Sequence, residues 1–183
     1  MIANLTHASN ELTRLHRYRD PMAKVLVTGM SGTGKSACLE VLRSRGYHTV
    51  DTDTDEWSIW SKDSDGSPDW VWREDAISSL LEREHDQLFV AGCKTNQGKF
   101  YPRFDHVVLL SAPVDIILER VSTRSTNPYG HSDAERREIV RYLADVEPRL
   151  RATATMEIDA SAPLSEVVAQ LERLALSDPS QIE

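Results

Sequence analysis

Basic charge is what this chain is short of. Lys and Arg total 21 against 29 Asp and Glu, a formal net charge of −8 over 183 residues. No extended basic stripe runs along it, which argues against DNA or RNA as a partner. A nucleotide stays possible, because a local nest of amides and a few arginines suffice for it. Long apolar runs are missing as well, so no segment is long enough to span a bilayer. Residues 1–20 carry Arg14, Arg17 and Arg19 but no apolar segment, which excludes a secretory signal there. Cysteine is scarce: Cys38 and Cys93 fall in an expected helix and at an expected strand end. A reduced, cytoplasmic protein is the simpler reading, with a disulfide the less favoured one. The six histidines show no zinc spacing, and no nucleophile–histidine–acid set supports a covalent hydrolase. Internal repeats and low-complexity segments are absent. The length fits one domain, and the 40% hydrophobic fraction is ordinary for a globular one.

What is present centres on Gly29-Met30-Ser31-Gly32-Thr33-Gly34-Lys35-Ser36, which fits G-x-x-x-x-G-K-[ST], the phosphate-binding loop. Lys24–Thr28 before it reads as a short buried strand, and Ala37–Leu42 after it as a helix. Glycines let the chain wrap tightly and turn its N–H groups inward as an anion nest. The helix start adds partial positive charge. Lys35 is expected to reach the β- and γ-phosphates, and the Ser36 hydroxyl to ligate Mg²⁺. The chain is therefore expected to bind a nucleoside triphosphate.

Before this loop, residues 1–22 form an N-terminal extension, in which Asn4–Tyr18 reads equally as an amphipathic helix or a loose segment. Met22 would serve as a start for a complete domain. After the first helix, strands are expected at 47–50, 87–91, 106–110 and 155–159. Helices are expected at 73–84, from Ala112-Pro113, from the capping box Ser132–Glu135, and at 163–176. The helix from Ser132 is expected to end before Pro148 or to kink there. Trp57, Trp60, Trp70 and Trp72 cluster around a polar turn at 62–69. Residues 94–104 read as a short helix or turn. A domain at 23–178 with a frayed tail follows, the last residues being 179–183. Alternating strands and helices imply a parallel sheet covered on both faces, with the site at the strands' carboxyl ends.

Within that site Asp51 and Asp53, two apart on an extended segment, face one side. One could hold a metal-bound water and the other accept a substrate hydroxyl proton; a solvated acidic turn is the plainer alternative. Arg120 and Arg124 share a helix face. The tryptophans suit core and ligand contact equally. Arg73 could neutralise a substrate anion, and Lys94, Asn96 and Gln97 follow the third strand near Lys99 and Arg103. Arg136, Arg137, Arg149 and Arg151 flank the loop at 125–131.

The phosphate loop, Asp51-Thr52-Asp53, the pair Arg120/Arg124 and Ile158–Pro163 together resemble the small P-loop kinases: shikimate kinase, gluconate kinase and the nucleoside monophosphate kinases. The resemblance covers about residues 24–176. It implies a three-layer P-loop NTPase fold whose five-stranded parallel sheet has the order 2-3-1-4-5, with a substrate lobe at about 54–84 and a lid at about 122–132 that closes to exclude water. It implies ATP and Mg²⁺, bound by Gly29 to Ala37 together with Arg120, Arg124, Ser161 and Pro163. Asp51 takes the metal role beside Ser36, and Asp53 the substrate role. Arg120 stacks on adenine and Arg124 clamps phosphate. Lys35, Asp53 and Arg124 are the catalytic candidates; Trp57, Trp60, Arg73, Gly92 and Lys94 join Asp53 on the substrate side. The pattern departs from the family in three ways. No aspartate ends the third strand, where Val90-Ala91-Gly92-Cys93 stands; shikimate kinases share a glycine-rich end there. The paired arginines for shikimate are not evident. The tryptophan-rich insert matches neither branch. The expected activity is transfer of the γ-phosphoryl group to a nucleoside, nucleotide or hydroxylated metabolite. The rival is a nucleotide-binding regulatory protein with little or no phosphotransfer.

Overall fold

Ala23-Lys24-Val25-Leu26-Val27-Thr28 forms strand β1 (Ala23–Thr28), and all but Lys24 are buried. A strand apolar on both faces needs cover on both faces, which is the condition for a central strand of a parallel sheet. The computed structural model describes residues 23–85, 87–125 and 127–176 and places β1 in the middle of five parallel strands. The readings of residues 1–22 as an extension and of the chain end as a frayed tail lie outside the described residues. Strands β2 (His48–Asp51), β5 (Gln87–Ala91), β6 (His106–Ser111) and β7 (Met156–Asp159) complete the sheet, in the order β2-β5-β1-β6-β7. Counted among these five strands alone, this is the expected 2-3-1-4-5.

Register sets up the site. Val27 lies beside Ala91, and Ala91 beside Asp51, so β1, β5 and β2 end on one line. The phosphate loop, Gly92-Cys93 and the acidic segment therefore leave the sheet side by side. One face of the sheet is covered by α1 (Lys35–Ser44) and by α5 (Leu164–Leu176), with Cys38, Leu39, Leu42, Val168 and Leu171 on Val25, Val27, Phe89 and Leu110. The other face is covered by α2 (Glu74–Glu82), whose Ile77, Leu80 and Leu81 join Trp72, Phe100 and Phe104 over Leu26, Leu88 and Val90. Helices α3 (Val114–Thr123) and α4 (Asp133–Thr153) meet through Ile117, Val121 and Ile139.

Three stretches are defined more closely than the sequence allowed. The tryptophan-rich stretch is an antiparallel hairpin, β3 (Ser58–Lys62) with β4 (Pro68–Trp72). Its turn is closed by Asp63, whose Oδ1 accepts from the amides of Asp65 and Ser67. Residues 97–103 form a 3-10 helix, within the stretch expected as a short helix or turn. Helix α4 runs through Pro148 to Thr153. A proline removes one backbone bond; here the turn beyond it is kept by burial of Leu150 and by Arg151, which bonds Glu147 and Glu157 at 2.8 Å. The capping box at Ser132 and Glu135 forms as expected.

The tryptophans divide by depth. Trp72 is 1% exposed and meets Phe100 edge-on at 5.6 Å, whereas Trp60 is 68% exposed. Trp57 is half-buried against the core around Trp72. Truncating a fully buried aromatic removes its transfer energy and leaves a cavity, so Trp72→Ala should cost about 3–5 kcal/mol. Trp60→Ala should stay within about 0.5 kcal/mol of the parent. Urea unfolding midpoints separate the two; equal losses at both positions would contradict this division.

Candidate functional site

The phosphate loop is built on close approaches that only glycine permits. At Gly29 φ is +142°, and a Cβ there would lie 2.4 Å from the Leu110 carbonyl oxygen of β6. At Gly32 φ is +90°, and a Cβ would lie 2.8 Å from Val121 Cγ1 of α3. The loop is thus pressed between β6 and α3. Thr33, buried, closes it by donating from Oγ1 to the Met30 carbonyl at 2.9 Å. Helix α1 begins at Gly34 with no side-chain cap and no acidic residue in its first turn. Its first amides are left for an external anion. Lys35 Nζ donates to the carbonyls of Gly29 at 2.6 Å and Met30 at 3.0 Å, lying along the loop. Burial lowers the pKa of this ammonium, opposed by Cys93, Asp53 and Asp51.

A cavity of about 420 Å³ opens over the loop, lined by Gly29 to Gly32, Gly34 to Ala37, Asp53, Cys93, Arg120, Arg124 and Asn127. Ser36 Oγ donates to Asp51 Oδ2 at 2.7 Å, and the Asp53 amide donates to Asp51 Oδ1 at 3.1 Å. Asp51 therefore faces the loop serine, while Asp53 stands in the cavity wall and accepts from Lys94 Nζ at 2.5 Å. The segment is held from below by Thr52, whose buried Oγ1 donates to the Ala91 carbonyl at 2.8 Å.

Arg124 closes the opposite side. Its Nη2 donates to Ser31 Oγ at 3.1 Å and to the Tyr129 carbonyl at 2.7 Å, and its Nε donates to the Asn127 carbonyl at 3.1 Å. One guanidinium thus ties the segment at 127–129 to the phosphate loop, and burial holds its pKa below the usual arginine value. Gly130, at φ +102°, lets this segment reach α3, since a Cβ there would lie 2.7 Å from Val121 Cβ. Arg136 Nη1 anchors the same turn at the Gly130 and His131 carbonyls. Arg120 belongs to both the main cavity and a second one of about 220 Å³, formed with Thr33, Ala37, Ala160, Ala162 and Leu164. Of the expected turn, Ala160 and Ala162 line that space; the Ser161 amide is bonded to Asp159, and Pro163 precedes α5.

The remaining expected residues are scattered. Gly92 is packed against Thr52 and Trp72; a Cβ on it would lie 2.2 Å from Thr52 Oγ1. Arg73 Nε donates to the Asp55 carbonyl at 2.9 Å, fixing the chain around the hairpin. Gln97 is buried, accepting from the Lys94 amide and donating to Thr28 Oγ1 and Tyr101 Oη. It shapes the turn after β5. Cys93 and Asn127 line the main cavity and were not singled out. Cys93 lies two residues past a strand's carboxyl end, which is the signal that finds it; Asn127 has no signal beyond its place in the loop after α3. Among the described residues no group of three or more His, Cys, Asp or Glu gathers to hold a metal. The Ser36–Asp51 pair instead suits an ion that keeps its waters and takes phosphate oxygens. Among the same residues no helix is long and apolar enough to cross a membrane.

The AAA domain family matches residues 25–141, more than half of the chain. The chain belongs to the AAA domain family. Its solved structural neighbours include a shikimate kinase from Acinetobacter baumannii in complex with shikimate, with a TM-score of 0.62 at 16% identity over 90% of this chain and 97% of that one. A shikimate kinase from Bacteroides thetaiotaomicron gives 0.61 at 19% identity, covering 84% of this chain and 98% of that one. A gluconokinase from Sinorhizobium meliloti gives 0.52 at 19% identity, covering 89% and 94%. At these identities the likeness establishes the fold, and this AAA domain has the fold of the small P-loop kinases. No curated protein matches its sequence.

Each bond of the Arg124 guanidinium is charge-assisted, worth about 1.5–3 kcal/mol. Arg124→Ala should therefore speed amide exchange across 127–131 by about tenfold or more, with β1 unaffected. Hydrogen–deuterium exchange measures this; unchanged protection of that segment would show that it is held by other contacts.

Proposed function

We propose that this AAA domain is an ATP-dependent phosphotransferase acting on a small molecule that carries a hydroxyl group. The observation that carries the reading is that Asp53 stands in the wall of the same cavity as the phosphate loop. Asp51 is taken up by the loop serine, whereas the Asp53 carboxylate, held by Lys94, suits a neighbouring hydroxyl whose proton must leave.

The residues present fit ATP. The uncapped start of α1, the glycine cradle and Lys35 suit the phosphates, and the space between Arg120 and the Ala160–Ala162 turn suits the base. Ser36 and Asp51 would hold Mg²⁺, directly or through water, and the ion would neutralise charge on the phosphate oxygens. The acceptor oxygen bonds to the γ-phosphorus as the bond from that phosphorus to the β-phosphate bridging oxygen breaks. Asp53 takes the hydroxyl proton, giving a phosphate ester and ADP. The Lys94 ion pair keeps the Asp53 carboxylate turned to one place. Arg124, already at Ser31, supplies positive charge beside the transferred group. Catalysis then consists mainly of positioning and charge neutralisation. With one cysteine buried and the other in the cavity, such a protein belongs in a reducing compartment, the cytoplasm.

One observation favours the second reading, a nucleotide-binding regulator. The third sheet strand ends in Gly92-Cys93, where many P-loop enzymes place an aspartate for the metal. Asp53→Asn separates the two. Removing a general base typically lowers the rate about 10²–10⁴-fold, so acceptor-stimulated ADP formation should fall by that order. Calorimetric affinity for ATP should stay within about threefold, roughly 0.7 kcal/mol. Equal turnover by parent and variant would remove Asp53 from the mechanism, and absence of acceptor stimulation across a metabolite panel would favour the regulator.

A further inference from the structure

We propose that Gln97 is a positioning residue for the transfer: it holds Lys94, and through Lys94 the Asp53 carboxylate, at a fixed place relative to the phosphate loop. This rests on the phosphotransferase reading above and adds to it what aligns the two halves of that site.

The first argument is burial. Gln97, the first residue of the 3-10 helix, is 2% exposed. Burying an amide costs free energy unless its polar atoms are bonded, and an apolar group of the same shape would serve stability as well. Both polar atoms of this side chain are bonded. Oε1 accepts from the Lys94 amide at 3.1 Å, and Nε2 donates to Thr28 Oγ1 at 3.2 Å and to Tyr101 Oη at 2.8 Å. The orientation follows from the Lys94 amide, which can only donate and so must meet the oxygen. Thr28, itself fully buried, is the last residue of β1 and directly precedes Gly29. Gln97 therefore ties the root of the phosphate loop to the turn after β5.

The second argument is what that turn carries. Gln97 holds Lys94 at both backbone groups: its side chain accepts from the Lys94 amide, and its own amide donates to the Lys94 carbonyl at 3.2 Å. The Lys94 side chain is 7% exposed, with Nζ 5.7 Å from the Trp70 ring and 2.5 Å from Asp53 Oδ1. A packed stem leaves the ammonium little freedom, so its place follows from the backbone. Asp53 is the opposite case. Its side chain is 59% exposed at the cavity wall, so packing does not fix its rotamer, and Lys94 does. The bonds thus run from Thr28 through Gln97 and Lys94 to Asp53, from behind the phosphate loop to the group that takes the acceptor's proton. A displacement of about 1 Å in such a group can cost on the order of 10²-fold in rate, so a residue that touches neither reactant can govern it.

Acceptor-stimulated ADP formation tests this with Gln97→Met, which keeps the length of the side chain and removes its amide. kcat should fall about tenfold or more while KM for ATP stays within about threefold. In an Asp53→Asn background the same change should alter the residual rate by less than about twofold, because the group being positioned is already gone. A purely structural lesion would lower the rate alike in both backgrounds. Thr28→Val keeps the shape of the strand residue and cuts the link on the loop side; it should repeat the pattern, and it decides the matter if Gln97→Met does not fold. Limited acetylation read by peptide mass spectrometry reports the placement without turnover. Lys94 should be acetylated about fivefold or more faster in either variant than in the parent, measured against exposed Lys62. Unchanged kcat, an equal loss in both backgrounds or unchanged Lys94 labelling overturns the inference. Faster labelling with no acceptor-stimulated turnover across a metabolite panel supports the placement and overturns phosphotransfer; turnover with an equal loss in both backgrounds does the reverse.

Discussion

The constraint on which the site rests is the approach of Gly29 to the Leu110 carbonyl. That distance leaves no room for any side chain, and it brings the phosphate loop onto β6 and α3 rather than into solvent. Everything else in the site depends on it. The loop's position sets where α1 begins and so where its uncapped amides point. It brings Ser31 within reach of Arg124 and leaves Lys35 lying along the loop carbonyls. A phosphate site of this kind is mainly a backbone object, and its accuracy comes from what presses on the backbone.

A second unit is joined to the first at the sheet's carboxyl edge. Asp51 is bonded to Ser36 of the loop, and Asp53, two residues on, to Lys94 of the turn after β5. That turn in turn grips the hairpin through Thr95 and Asn96. The two halves of the site thus share one short acidic segment. A change in the hairpin is transmitted to the cavity by hydrogen bonds rather than by the hydrophobic core, which keeps Trp72 and Gly92 as fixed packing below it.

Much of this could be read from the chain without coordinates. A strand, a glycine-rich turn and a helix start in Lys24–Leu42 identify a phosphate loop through strictly local geometry. The alternation of five apolar segments with amphipathic ones gives a covered parallel sheet, and the spacing of Ser132 and Glu135 gives a helix cap. The hairpin was less legible because its four tryptophans are equally apolar, and only cross-strand pairing tells which turn inward. Gln97 looked like one more polar loop residue, and nothing local distinguishes a buried amide that bonds Thr28 and Tyr101 from a solvated one. Past Pro148, α4 is supported by burial of Leu150 and by Arg151, one of whose partners, Glu157, lies in the strand beyond the helix.

The sequence by itself determined that residues 29–36 form a glycine-rich loop of the phosphate-loop pattern between a strand and a helix, because backbone conformation, glycine's missing side chain and a helix terminus are all properties of neighbours along the chain. It determined the fold class for the same reason, since periodicity is local. Only the tertiary structure decided that Asp51 faces the loop while Asp53 faces the cavity, that Arg124 bridges to Ser31, and that Trp60 is exposed while Trp72 is buried. Those assignments depend on which distant segments arrive beside each side chain, and a one-dimensional pattern carries no record of that arrival.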